Sequence, residues 1–230
     1  MNTHADPPLA ARRRFLQTQG TGALAWSLGA ASAVGLGSIH RSGFGQTPAA
    51  RAYLPTPSQT EGPFYPDEAL QDTDFDLLRN GNASYAMGQP AWVGGVVTDL
   101  QGRPVAGAAV EIWQCDHDGV YRQSQSSGRA GNKMMVFQGF GKVAVGADGR
   151  YKFRTIKPVP YPGRTPHIHF CVKLGGRELL TTQLYVRGEP ANSRDALLRR
   201  LSSEQRGMLD ASFEVGKDGL TAEFAIRVLA

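Results

Sequence analysis

The sequence predicts an all-β fold, an antiparallel β-sandwich with an N-terminal proline-rich arm and one or two short helices. Three observations predict it. Six short segments carry the two-residue alternation of strands, turn residues separate them, and helical spacing is confined to one region. The 28 glycines and 14 prolines in 230 residues supply the turns. Many short strands with few helices read as a sandwich, with no internal repeat and no second folded domain.

The chain divides into residues 1–45, 46–90 and 91–230. The first part reads as a signal peptide. Arg12, Arg13 and Arg14 precede Phe15 and Leu16, and residues 21–39 then run uncharged through Ala, Leu, Gly, Ser and Val. Paired arginines before Phe-Leu resemble the twin-arginine export signal, which implies an exported bacterial protein, periplasmic or secreted. A transmembrane anchor is the competing reading. The Gly/Ser content makes the segment a poor lipid span, so no stable anchor is expected after processing. Cleavage after Ala33 and cleavage near Gly45 both fit.

Residues 46–90 read as an extended arm, polar and broken by Pro55, Pro57, Pro63 and Pro66. Strands follow at Trp92–Thr98, Ala109–Cys115, Arg150–Ile156, His167–Lys173, Leu179–Val186 and Glu223–Leu229. Helical pieces are expected at Ser193–Leu201 and Ser203–Leu209, with Ser203 as a cap. Trp113 reads as core and not as a substrate platform. Cys115 and Cys171, the two cysteines, allow either a disulfide or two buried thiols.

Charge excludes some functions. The formal net charge is +5, yet Arg12, Arg13, Arg14 and Arg41 against Asp6 account for three of those charges. The body is therefore close to neutral. No basic stripe with interleaved aromatics is present, so nucleic acid is not an expected partner.

Of the five histidines, three follow the leader: His117, His167 and His169. His167 and His169 stand two apart in a strand pattern, so both project from one face while Ile168, Phe170 and Val172 turn to the other. Imidazoles about 6–7 Å apart along one face can converge on a metal ion. His117 sits in a turn between Asp116 and Asp118 and reads as a turn residue.

Three segments, Gln59–Tyr65, Val110–Tyr121 and Val159–Phe170, in this order, resemble the intradiol ring-cleavage dioxygenases. The likeness runs from about Pro55 to the C-terminus. It implies a non-haem Fe(III) site with Tyr121, Tyr161, His167 and His169 as ligands. It also implies a small aromatic diol as substrate, cleaved by O2 between its hydroxyls to a muconate-type diacid. Tyr161 would leave the metal and take a substrate proton, and Arg164 would stabilise negative charge on the ring. Gln183 would lie beside the substrate, and Thr60, Gly62 and Pro63 would line its pocket. Tyr151 and Tyr185 are fallback phenols without the proline-rich context. Arg129 or Lys133 would meet a carboxylate substituent. The resemblance leaves room for a homo-oligomer.

Two other readings compete. Gly102–Val110 and Gly149–Phe153 also resemble transthyretin-like sandwich modules, many of which are not enzymes. A zinc hydrolase on the histidine pair lacks a third ligand at suitable spacing.

Overall fold

Every second residue of Pro90–Thr98 is buried, the mark of a strand with one face on a core. In the computed structural model, which describes residues 53–66, 72–122 and 136–230, this strand is the spine of one sheet. The leader, Arg129 and Lys133 lie outside the described residues.

The strands, in chain order, are β1 (Arg79–Asn80), β2 (Ala83–Ser84), β3 (Pro90–Thr98), β4 (Ala109–Trp113), β5 (Phe140–Ala144) and β6 (Arg150–Ile156). They continue with β7 (His167–Leu174), β8 (Arg177–Val186), β9 (Asp210–Ala211), β10 (Glu214–Gly216), β11 (Gly219–Glu223) and β12 (Ile226–Arg227). In the first large sheet β3 pairs antiparallel with β6 and parallel with β11 and β12, and β10 pairs with β11. The second large sheet has the order β5-β4-β7-β8-β9. It is antiparallel from β5 to β8, and β9 joins β8 in parallel.

The two sheets face one another as the expected sandwich. Val93, Val97, Tyr151 and Phe153 from one sheet share a core with Val110, Ile112, Ile168, Phe170, Val172 and Leu184 from the other. A smaller apolar cluster lies on the far side of the second sheet. It contains Trp113, Cys115, Tyr121, Phe140 and Cys171, with Phe64, Tyr65, Val159 and Tyr161 packed against them. Strand β7 therefore feeds two cores at once, and its first six residues are all buried. Cys115 and Cys171 are buried free thiols, and burial raises both, Cys115 to about 12 and Cys171 to about 11.

Several elements depart from expectation. Residues 53–66 carry no strand or helix, with a turn at 63–65. Farther along, Leu77 and Leu78 enter the main core and the β1–β2 hairpin follows. The expected long helix is two short 3-10 turns, Pro190–Ser193 and Leu198–Arg200, and between them the Asp195 carboxylate accepts from the Leu197 and Leu198 amides. The helix that follows is Ser203–Gly207, and its cap is Ser202 and not Ser203, in a capping box with Gln205. The last expected strand is broken into β11 and β12. The Phe224 carbonyl at the break accepts the Tyr151 hydroxyl, while the Phe224 ring enters the core. Strand β5 was not expected, since Phe140–Ala144 lacks clean alternation.

Candidate metal centre

Register builds this site. On the outer face of the second sheet Trp113 pairs with His169, and His169 with Gln183, across β4, β7 and β8. One step along β7, His167 pairs with Tyr185. The Trp113 ring lies flat on His169, centroids 4.8 Å apart and planes 10° off parallel. Trp113 is thus fully buried core, as read from sequence, and a support for one imidazole.

His167 and His169 turn their Nε2 atoms toward each other at 3.2 Å. The His167 Nδ1 proton goes to the Thr165 carbonyl at 2.6 Å, which leaves a lone pair on Nε2. Burial, and after it the Arg164 charge, lower His167 to about 4; burial also takes His169 well below the usual imidazole range. Both rings are neutral at physiological pH. His169 Nδ1 is buried without a hydrogen-bond partner among the described residues.

Tyr121 and Tyr161 complete a ring of side chains. Centroid separations are 5.5 Å for Tyr121–Tyr161, 5.3 Å for Tyr161–His167, 4.8 Å for His167–His169 and 6.1 Å for His169–Tyr121. The two phenol rings meet edge to face, their planes 84° apart. Desolvation raises both hydroxyls above the ordinary tyrosine range, so neither ionises in the protein alone. A coordinated cation reverses that balance, because it removes the phenolic proton outright. Two phenols and two neutral imidazoles around one point fit a hard, highly charged metal ion.

Local folding explains how distant residues meet. The turn after β4 is held by the Asp116 carboxylate, which accepts from the Asp118 and Val120 amides at 3.0 Å each. Gly119 in this turn has φ +75°, and a Cβ there would sit 3.0 Å from the Pro160 carbonyl and 3.3 Å from Tyr161 Cβ. The glycine therefore lets the Tyr121 segment close against the Tyr161 segment. Tyr161 and Arg164 bracket a tight turn through Pro162 and Gly163, closed by the Arg164 amide on the Tyr161 carbonyl at 2.9 Å.

The arm roofs the ring cluster. Phe64 stacks on Tyr121 at 4.2 Å and meets Tyr161 edge-on at 6.0 Å. A Cβ on Gly62 would lie 3.5 Å from His169 Cε1, and the Thr60 carbonyl accepts from Gln183 Nε2 at 2.9 Å. Pro63, between Gly62 and Phe64, is exposed. Tyr65 fastens the arm. Its hydroxyl donates to buried Glu111 at 2.8 Å and accepts from Lys173 at 2.8 Å. Tyr65→Phe is expected to lower folding stability by about 1–2 kcal/mol, the value of a partly screened hydrogen bond to a carboxylate. Urea denaturation measures it.

A family model described as Dioxygenase matches residues 60–229. The chain belongs to that family. Hydroxyquinol 1,2-dioxygenase of Rhodococcus opacus is 36% identical over 153 residues, which are 59% of this chain and 47% of that protein. The protocatechuate 3,4-dioxygenase beta chain of Burkholderia cepacia is 34% identical over 164 residues, 66% of this chain and 68% of the relative. A solved dioxygenase domain, from a dioxygenase carbohydrate-binding protein fusion of Streptomyces sp. SirexAA-E, superposes with TM-score 0.59 at 33% identity. It covers 75% of this chain and 97% of that one. The chain spans about half the length of the hydroxyquinol relatives.

Several residues of this Dioxygenase-family chain were not singled out from sequence. Phe64 and Tyr65 lie in the Gln59–Tyr65 segment but drew no role of their own, Asp195 gave no periodic or motif signal, and Tyr185 was noted as a spare phenol. The Tyr185 hydroxyl contacts Gln183, Arg164 and Gln59 and takes no place in the ring of four. Tyr151, the other spare phenol, is buried in the main core. Asp116, His117 and Asp118 also gather metal-binding atom types. There His117 Nδ1 is engaged by the Tyr85 hydroxyl, and Asp116 is engaged by the turn amides. His117 is a turn residue.

Proposed function

We propose that this protein is an exported, non-haem Fe(III) intradiol dioxygenase that opens catechol-type rings with O2 to muconate-type diacids. The gathering of a buried phenol, a half-buried phenol and two neutral imidazoles in one ring of side chains carries this reading. Tyr121, Tyr161, His167 and His169 would hold the ferric ion, their two phenolates offsetting much of its charge. When bound, the iron supplies a Lewis acid that favours the doubly deprotonated diol and makes the ring electron-rich.

The chain's own residues account for the rest. Tyr161 is half-buried and its hydroxyl lies 3.4 Å from Arg164 Nη1, so its phenolic oxygen, once ionised, would be placed to accept a substrate proton. Tyr121 is buried beneath Phe64 and stays in place. Arg164 presents a fixed cation to negative charge developing on the ring. Gln183 holds the Thr60 carbonyl of the arm, so Thr60, Gly62 and Pro63 form the roof under which an aromatic ring would slide while bulk water is excluded. The names of the relatives support a catechol, hydroxyquinol or protocatechuate type of substrate. Export rests on the arginine pair in the leader.

Purified protein should contain iron and show a visible tyrosinate-to-iron band. It should take up O2 with at least one member of a panel of substituted catechols and form a ring-opened diacid. A colourless preparation that cannot be reconstituted with iron would instead leave a sandwich module. Tyr121→Phe is expected to weaken the visible band and lower turnover; an unchanged spectrum removes Tyr121 from the ligand set.

A further inference from the structure

Asp195 lies 31 positions from Arg164, on the chain between the two 3-10 turns, and its side chain is fully buried. Both carboxylate oxygens are occupied. Oδ2 accepts from Arg164 Nε at 2.8 Å and from the Thr165 amide at 3.3 Å. Oδ1 accepts from the Leu197 amide at 3.0 Å and the Leu198 amide at 3.2 Å. Four donors on two oxygens leave the carboxylate no rotational freedom.

The guanidinium is fixed in consequence. With Nε on Asp195, Nη2 reaches Gln183 Oε1 at 2.6 Å and Tyr185 Oη at 3.3 Å. Nη1 has one contact among the described residues, a long 3.4 Å approach to the Tyr161 hydroxyl. Asp195 thus turns the cation so that its least committed nitrogen faces the ring cluster. A buried ion pair is weak evidence for stability, since desolvating two charges offsets most of their attraction. What the pair supplies is orientation.

We infer that Asp195 is a positioning residue that sets the direction of Arg164 and thereby its effect on the ring-opening reaction. The inference rests on the functional reading above and extends it to a residue that touches neither substrate nor metal. Through the Thr165 amide the same carboxylate also steadies the residue whose carbonyl sets the His167 tautomer.

A double-mutant cycle on the iron-loaded full chain tests it. Asp195→Asn keeps the shape and removes the charge. It should retain iron and the visible band, change KM less than about threefold and lower kcat about 10- to 100-fold, the size of a lost charge-assisted hydrogen bond. In an Arg164→Ala background the same change should cost less than about twofold, because the residue it acts through is gone. Asp195→Glu, which restores the charge, should recover part of the loss. Equal losses in both backgrounds, or wild-type kcat in Asp195→Asn, would overturn the inference. Loss of iron by both the Asn and Glu variants would also overturn it, by making Asp195 a structural tie. Wild-type protein that takes up no O2 with any catechol overturns the functional reading itself, a separate and visible failure.

Discussion

His169→Ala is expected to yield folded protein that retains iron at least about 100-fold more weakly than wild type and shows no catechol-dependent O2 uptake. The floor on that figure follows from the ring's part in the site. Removing even an outer partner of a metal ligand costs about 10- to 100-fold in affinity, and His169 contributes a nitrogen itself. The sandwich should survive, because Ile168 and Phe170 on either side belong to the opposite core. The cost falls on the outer cluster, where the Trp113 ring loses its stacking partner. Metal analysis alongside circular dichroism measures both. A variant that stays fully loaded and active would remove His169 from the metal centre.

Arg164→Ala should keep its iron and lose kcat by about 10²- to 10³-fold, the loss typical when one preorganised electrostatic donor is deleted. KM should move much less, since the cation acts on charge that develops during the reaction. The substitution also strands Asp195, which is buried and loses its only charged partner among the described residues. A lower melting temperature should accompany the kinetic defect. Arg164→Lys would keep the charge without the planar fork that reaches Gln183 and Asp195 together, so partial recovery is expected. Steady-state O2 uptake beside thermal unfolding separates the two effects. Wild-type kcat in Arg164→Ala would remove the residue from the reaction and leave it a structural partner of Asp195.

What could be read from the sequence follows the reach of local rules. His167 and His169 were legible because strand geometry alone puts them on one face. Tyr161 and Arg164 were named through resemblance, in the proline-rich segment directly before that strand. Tyr121 and Gln183 were named through resemblance, and the structure supplies the physical reason for their placement. Gly119 lets the Tyr121 turn close on Tyr161, and β8 sets Gln183 opposite His169. Asp195 could not be found this way, since its pairing with Arg164 spans 31 positions with no periodic signature. Tyr65 was hidden for a related reason. Its partners Glu111 and Lys173 lie on different strands, and a proline-rich arm has no periodicity to give its contacts away. Among the fold elements, the sandwich and most central strands were visible in alternation. The β11–β12 break was not, because it depends on a carbonyl captured by Tyr151 from another strand.

The roof over the ring cluster is tied down at its near end by contacts between partners 123 to 126 positions apart, Ser58 to Thr181, Thr60 to Gln183 and Gln59 to Tyr185. During synthesis the early half of each pair must wait for its partner, at residues 181 to 185, to emerge. Connections this remote in sequence also slow the search for the native state. The roof therefore cannot close before Tyr185 has been added to the chain.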